Sequence, residues 1–131
     1  MAVSKDLPIL IVDDYKTMLR IVRGLLNQLG FSNIEEATDG QRALDMVTQR
    51  PTAYGLVISD WNMQPVSGLD LLKGVRANPT TARLPFIMVT AEARPENVVA
   101  AKAAGVNNYI IKPFTAAVLK QKLTAVLGEL G

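Results

Sequence analysis

Short runs of apolar residues alternate along the chain with longer segments in which apolar residues recur every three or four positions. The short runs, rich in Ile, Val and Leu and bounded by polar residues, predict buried β-strands. The longer period predicts amphipathic α-helices. On this basis the predicted strands are 7–12, 34–37, 56–59, 86–90 and 109–111, and the predicted helices are 18–29, 41–49, 69–77, 96–104 and 116–127.

The regular alternation of strand and helix predicts an α/β fold. Two parallel strands need a connection long enough to hold a helix, and right-handed crossovers leave few topologies. We therefore expect five βα units that form a parallel sheet with helices on both faces. No linker, charge block or low-complexity segment interrupts the pattern, so we expect one domain over 1–131 with a core at about 7–127.

The composition excludes several classes of protein. Of the 131 residues, 49% are hydrophobic and 20% are charged, which is typical of a folded globular chain. A net charge of +2 is far from the basic surface that nucleic-acid binding requires, so no nucleic-acid partner is expected. Cys and His are absent, which removes thiol nucleophiles and soft zinc sites. Because neither an export signal nor an apolar run of about 20 residues is present, we expect a cytoplasmic protein without membrane insertion.

Polar residues whose side chains could bind a ligand or take part in a reaction follow several of the predicted strands. Asp13 and Asp14 follow the first strand, Asp60 the third, Thr90 ends the fourth, and Lys112 follows the fifth. In open parallel sheets, ligands bind beyond the carboxyl ends of the strands, so these side chains are expected to converge. For any one of these residues alone, an exposed strand end is the favoured explanation. The set is more selective than that, because the second strand has no acid in this place.

The three acids together indicate a metal site. Two carboxylates a few Å apart repel by about 4 kcal/mol at an effective dielectric near 20, so a positive charge must lie among them. Without His or Cys the available ligands are hard oxygens, which favour Mg²⁺, Mn²⁺ or Ca²⁺. Mg²⁺ fits best, because it accepts a few carboxylates, keeps several waters and commonly bridges to a phosphoryl oxygen.

A carboxylate beside Mg²⁺, with an ammonium and a hydroxyl nearby, can take up a phosphoryl group as an acyl phosphate. Asp60 is the predicted nucleophile, because it follows a central strand between the other groups. Lys112 and the metal would neutralise the charge that develops on the equatorial oxygens. Thr90 would then hydrogen-bond the bound phosphoryl group.

These residues in their context resemble the receiver domains of two-component response regulators, and among them the single-domain chemotaxis regulators. The resemblance covers about 7–127. It rests on the motifs V-D-D, S-D-W-N-M, M-V-T-A-E-A, A-A-G and Y-I-I-K-P-F-T-A-A-V-L. It implies a doubly wound, flavodoxin-like sheet of five parallel strands in the order 2-1-3-4-5, with five helices.

The resemblance also implies a role for each matching residue in the acidic site. Asp60 would accept the phosphoryl group from a chemotaxis histidine kinase. The Asp14 and Asp60 side chains and the backbone carbonyl of Asn62 would bind Mg²⁺, and Asp13 would act mainly through a bound water. The chain would be a phosphoacceptor signalling domain with weak self-phosphorylation and self-dephosphorylation rather than an enzyme.

Further implied roles concern the switch. Lys112 would contact the phosphoryl group and precede a cis Pro113, an isomer that is accessible before proline. Thr90 would move toward the phosphoryl group, and Tyr109 would then swing inward. The spacing of Tyr109 alone favours a simple aromatic residue at the rim of a strand, so its switch role depends on the resemblance.

The implied output surface is formed by the fourth helix, the fifth strand and the fifth helix. Its partners would be a flagellar motor switch protein and, on an overlapping area, the kinase. A phosphatase would remove the phosphoryl group. The regulator is expected to be a monomer. The alternative is that the lysines of this surface simply face solvent. The residues expected there are Val98, Lys102, Tyr109, Lys120 and Lys122.

Other functions remain open from sequence. The chain could drain phosphoryl groups from a shared kinase without binding the motor, or it could regulate another partner. It could also be an aspartate-nucleophile phosphatase, although Asn62 stands where such enzymes place their general acid. The sequence departs from the family pattern at Gln64, which is followed by Pro65. Pro65 keeps Gln64 out of helical geometry, so we expect the third helix to begin no earlier than Ser67. We also expect this loop to tune Mg²⁺ affinity or phosphoryl lifetime.

Overall fold

Five parallel strands form a sheet in the order β2-β1-β3-β4-β5 in the computed structural model, which describes residues 4–91 and 94–128. This order and the alternation of strands and helices confirm the predicted doubly wound α/β fold. Residues 92 and 93 of the M-V-T-A-E-A motif lie outside the described residues, as do 1–3 and 129–131. The elements are β1 (Ile9–Val12), α1 (Lys16–Gln28), β2 (Ile34–Ala37), α2 (Gly40–Gln49), β3 (Leu56–Asp60), α3 (Gly68–Ala77), β4 (Phe86–Thr90), α4 (Pro95–Ala104), β5 (Asn108–Ile111) and α5 (Ala116–Leu127).

Hydrophobic clusters cover both faces of the sheet, because alternate residues of each strand point to opposite sides. In β1, Ile9 and Ile11 belong to one cluster, and Leu10 and Val12 to the other. Strands β1, β3 and β4 are buried along their whole length, which is why they appear in the sequence as continuous apolar runs. The first cluster includes Leu19, Val22 and Leu26 of α1 and Leu119 and Leu123 of α5; the second includes Ala43 and Val47 of α2 and Leu71, Leu72 and Val75 of α3.

Polar side chains fix the start of three helices. Asp39, Ser67 and Thr115 each accept a hydrogen bond from a backbone N–H in the first turn of α2, α3 and α5, respectively. Such caps satisfy backbone donors that have no partner within the helix. The Ser67 cap confirms the predicted start of the third helix.

The first strand is shorter than predicted. It begins at Ile9 rather than Leu7, because Pro8 has no N–H to donate to a neighbouring strand and Leu7 instead donates to the Ser4 carbonyl at 3.2 Å. The third strand is one residue longer than predicted and includes Asp60. The acid is therefore held by the sheet itself.

The helices are short compared with the thickness of a bilayer. The longest, α1, has 13 residues. Within 4–91 and 94–128, no helix combines the length and apolar character needed to cross a membrane.

Candidate functional site

Three carboxylates meet at the carboxyl ends of β1 and β3. Asp13 and Asp14 follow β1, Asp60 ends β3, and one oxygen of each lies within 4.8 Å of the others. The register explains this proximity, because Val12 lies opposite Ser59 and the next residue of each strand is an acid. Asp13 is 5% exposed and Asp60 is 6% exposed, whereas Asp14 faces solvent. The structure therefore brings together the three acids that the sequence predicted would converge.

Lys112 supplies a cation to this acidic cluster. Its Nζ lies 2.7 Å from Oδ1 of Asp60 and 3.6 Å from Oδ2 of Asp13. Its backbone N–H donates to the Thr90 carbonyl at 2.8 Å, which fixes the start of the loop that follows β5. The Lys112–Pro113 peptide bond is cis, as the resemblance implied. The ammonium group thus reaches the carboxylates from the far side of β4.

The environment changes the pKa of two groups in the cluster. Burial, followed by the negative charges of Asp60 and Asp14, raises the pKa of Asp13 above 3.8, although the N–H of Tyr15 and the charge of Lys112 oppose this. Burial alone would lower the pKa of Lys112, but its hydrogen bond to Asp60 and the two nearby negative charges raise that pKa above 10.5. Lys112 is therefore charged at neutral pH. Its single positive charge faces a cluster of three carboxyl groups.

The donor set fits Mg²⁺. All three acidic ligand atoms are hard oxygens, they lie within 4.8 Å of one another, and the chain has no His or Cys that would favour a softer metal. Asp14 also lines a cleft of about 340 Å³ together with Asn62 and Gln64, which leaves room for the waters that Mg²⁺ usually keeps. Asp13, Asp14 and Asp60 are thus the side chains that could hold the ion.

Thr90 and Tyr109 line a single pocket beside the acidic cluster. Thr90 ends β4 and is 8% exposed, and the residue before it, Val89, pairs with Asp60 across the sheet. Tyr109 of β5 is half-buried, and the Lys122 Nζ lies 5.3 Å from the centre of its ring. The pocket is also lined by Trp61, Met88, Asn97, Val98 and Ala101. Trp61 is half-buried and packs on the core rather than standing fully exposed.

Gly68 is a site residue that sequence reasoning missed. Its N–H donates to the Trp61 carbonyl at 2.9 Å, which draws the start of α3 against the end of β3. A Cβ at this position would clash with the Asp60 carbonyl oxygen and would lie 2.7 Å from the Met88 Sδ. A glycine at the start of a predicted helix was the available signal, but the need for close packing becomes visible in the tertiary structure.

The loop that connects β3 to α3 has a second feature that the sequence did not reveal. The Gln64–Pro65 peptide bond is cis. Gln64 is exposed and shares its cleft with Asp14. This places the departure from the family pattern beside the acidic cluster.

A family model described as the response regulator receiver domain matches residues 9–124, which includes every site residue named above. The chain belongs to this receiver domain family. As a receiver domain, it is a signalling domain rather than a classical enzyme. Over 127 residues it is 50% identical to the chemotaxis protein CheY-3 of Vibrio cholerae, covering 97% of this chain and 96% of that protein. Within the family it is therefore similar to chemotaxis proteins of the CheY type.

Solved receiver structures have the same architecture. The chemotaxis protein CheY4 of Vibrio cholerae superposes with a TM-score of 0.84 at 31% identity, covering 93% of this chain and 99% of that one. The receiver domain of a sensor histidine kinase from Pseudomonas aeruginosa superposes with a TM-score of 0.83 at 26% identity, covering 95% of this chain and 99% of that one. That second structure is described as having a magnesium ion coordinated in its active-site cleft.

Proposed function

We propose that this receiver domain accepts a phosphoryl group on Asp60 from a histidine kinase of a chemotaxis pathway. The observation that carries the proposal is the contact between Lys112 Nζ and Oδ1 of Asp60 at 2.7 Å, within a cluster of three carboxylates. A structural ion pair would need one carboxylate, whereas phosphoryl transfer needs a nucleophile, metal ligands and a separate cation.

The proposed reaction uses groups that are already in place. An Oδ of Asp60 attacks phosphorus, the bond from phosphorus to the histidine nitrogen breaks, and the imidazole, protonated on its other nitrogen, takes up the electron pair. Lys112 neutralises charge on the phosphoryl oxygens. Mg²⁺ held by Asp13, Asp14 and Asp60, with the Asn62 backbone carbonyl as a further ligand, would supply Lewis-acid stabilisation of the same charge.

The proposed switch couples Thr90 to Tyr109. Both line one pocket, so a shift of the Thr90 hydroxyl toward a new phosphoryl group would change the space available to the half-buried Tyr109 ring. Moving a two-state switch from mostly off to mostly on requires about 5.5 kcal/mol of differential stabilisation. A dianion that gains hydrogen bonds to fixed donors supplies an interaction of this order.

We propose the face formed by α4, β5 and α5 as the output surface, with a flagellar motor switch protein as its partner. Lys102 and Lys120 are exposed on this face, and Lys122 lies against the Tyr109 ring, so a change at Tyr109 alters a basic surface. The relative from Vibrio cholerae, which matches this chain over nearly its whole length, is named as a chemotaxis protein. The same proposal includes a phosphatase as a further partner, a monomeric state, a single domain over 1–131 and a cytoplasmic location.

Acetyl phosphate and Mg²⁺ provide a direct test of acceptor chemistry. The wild type should gain one phosphoryl group by intact-mass spectrometry, and a chelator should prevent the gain. The Asp60→Asn variant should gain none, because the amide is a poor nucleophile but occupies nearly the same volume. Phosphorylation that persists in Asp60→Asn would place the acceptor elsewhere and refute the assignment.

Draining phosphoryl groups from a shared kinase is the second candidate. The proposed acceptor site is formed within this one domain, so it needs no output partner to accept and release a phosphoryl group. Binding of the beryllofluoride-treated protein to a motor-switch peptide separates the two functions: tighter binding than the untreated protein supports motor control, and unchanged binding supports the sink. The phosphatase alternative loses support, because the chain belongs to the receiver family and Asn62 cannot serve as a general acid.

A further inference from the structure

A second cleft opens near the carboxyl ends of β3 and β4, where Val89 pairs with Asp60 and the next residue is Thr90. It has a volume of about 260 Å³ and is lined by Asn62, Thr90, Ala91, Arg94 and Asn97. Asn62, two residues after Asp60, also lines the cleft that contains Asp14, so the two clefts share this residue. One cleft is thus on the metal side, and the other is lined by the exposed Arg94.

The second cleft is the better route for a small phosphoryl donor. Asp60 is 6% exposed, and Lys112 already covers one of its oxygens at 2.7 Å. Asp14 lines the metal-side cleft and is a candidate metal ligand, so the bound ion and its waters would occupy that opening. Thr90, which would hydrogen-bond the incoming phosphoryl group, lines the second cleft. A donor that enters through this cleft with its phosphorus near Thr90 therefore has its leaving group in the cleft that Arg94 also lines.

We propose that Arg94 determines donor specificity by stabilising an anionic leaving group. With acetyl phosphate, an Oδ of Asp60 attacks phosphorus, the phosphorus–oxygen bond to the acetyl group breaks, and the electron pair leaves with acetate. Negative charge develops on that departing oxygen, and a guanidinium group at the rim of the cleft lowers its energy. A guanidinium can also hold a carboxylate through two parallel hydrogen bonds.

Phosphoramidate provides the matched comparison. Asp60 attacks the phosphorus of the donor form that is protonated on nitrogen; the phosphorus–nitrogen bond breaks, the nitrogen keeps the electron pair, and the leaving group is neutral ammonia. Arg94 gains nothing from a neutral leaving group, so it should accelerate transfer from acetyl phosphate and leave transfer from phosphoramidate unchanged. Arg94 is exposed, so an effect of about threefold to fivefold is expected rather than that of a buried catalytic charge.

The inference rests on the proposed phosphorylation of Asp60, and the experiment keeps the two claims separate. Initial rates of phosphorylation are measured by intact-mass spectrometry with saturating Mg²⁺ and either donor. The variants are Arg94→Gln, Arg94→Lys and Arg83→Gln; the last removes the same charge from an exposed position that does not line the cleft. Magnesium affinity and thermal stability are measured for each variant, so that an effect on the metal site or on folding is seen directly.

Arg94→Gln should slow phosphorylation by acetyl phosphate about threefold to fivefold without changing the phosphoramidate rate or the magnesium affinity. Arg94→Lys should keep most of the acetyl phosphate rate, and Arg83→Gln should match the wild type with both donors. Equal slowing of both donors, no slowing of either, or failure of Arg94→Lys to keep the rate overturns the inference about Arg94. A wild type that accepts neither donor instead refutes phosphorylation of Asp60.

Discussion

The Nζ of Lys112 lies 2.7 Å from Asp60 Oδ1 and 3.6 Å from Asp13 Oδ2, so one ammonium group contacts two buried carboxylates at the ends of different strands. These three residues come from distant parts of the chain and meet because β1, β3 and β5 are parallel and end at one edge of the sheet. The ammonium group is therefore part of the fold as well as of the proposed chemistry.

Replacing Lys112 with Met should destabilise the metal-free protein by about 1–2 kcal/mol, between the values for exposed and buried ion pairs. The Lys112 side chain is 25% exposed, and its loss leaves buried carboxylates without their cation. Urea unfolding in the presence of a chelator measures the effect. Lys120→Met, at an exposed position on α5, is the control and should cost much less. Equal stability of the two variants would show that the ion pair contributes nothing to folding.

Asp13 should contribute less stability to the metal-free fold as pH rises. Because the pKa of Asp13 is raised above 3.8 in the folded state, the folded protein keeps a proton that the unfolded chain releases in that range. Stability from this group is therefore greatest at low pH and is lost as pH rises through the raised pKa. Asp13→Asn keeps the acceptor oxygen for the Tyr15 N–H and removes the charge. It should be more stable than the wild type at neutral pH without metal, because the buried charge is gone.

Thermal unfolding with a chelator, from about pH 4 to about pH 7, compares the wild type with Asp13→Asn. The variant should lose less stability than the wild type across this range. Parallel pH profiles would mean that Asp13 does not bind an additional proton in the folded state.

Bound magnesium should offset the repulsion among the three carboxylates and stabilise the fold. An ion that binds the folded state alone, at about 100 times its dissociation constant, adds about 2.7 kcal/mol. Asp14→Asn should lose most of this gain while changing the metal-free stability little, because Asp14 is exposed. Thermal unfolding over a magnesium titration tests both points, with Asp39→Asn as a control acid outside the cluster. An undiminished response in Asp14→Asn would exclude it as a ligand.

Gly68→Ala should disturb the phosphoacceptor through the backbone. The added Cβ would clash with the Asp60 carbonyl and come within 3.0 Å of the Trp61 Cα, so β3 or α3 must shift, at a cost of about 1–3 kcal/mol. Gly24→Ala, in α1 with open space around the new Cβ, should instead stabilise by about 0.5–1 kcal/mol. Chemical unfolding of both variants measures the difference. A Gly68→Ala variant as stable as Gly24→Ala would show that the contact relaxes freely.

Much of this architecture could be predicted from local pattern. Continuous apolar runs identify strands buried on both faces, and parallel strands bring their carboxyl ends to one edge, so the convergence of Asp13, Asp60 and Lys112 follows from sequence and topology together. The strand order itself was implied by the family resemblance, since periodicity does not order the strands. Features that depend on tertiary packing could not be predicted: the close contact of Gly68 with β3 and the cleft that Arg94 shares with Thr90.

Phosphotransfer from a purified, autophosphorylated chemotaxis histidine kinase tests the central claim most directly. Radiolabelled phosphoryl should move from the kinase histidine to the wild-type protein in the presence of Mg²⁺, and peptide mapping should locate the label on Asp60. The Asp60→Asn variant should remain unlabelled while the kinase keeps its label. Transfer to Asp60→Asn at the wild-type rate, or label mapped to another residue of the wild type, would contradict the account.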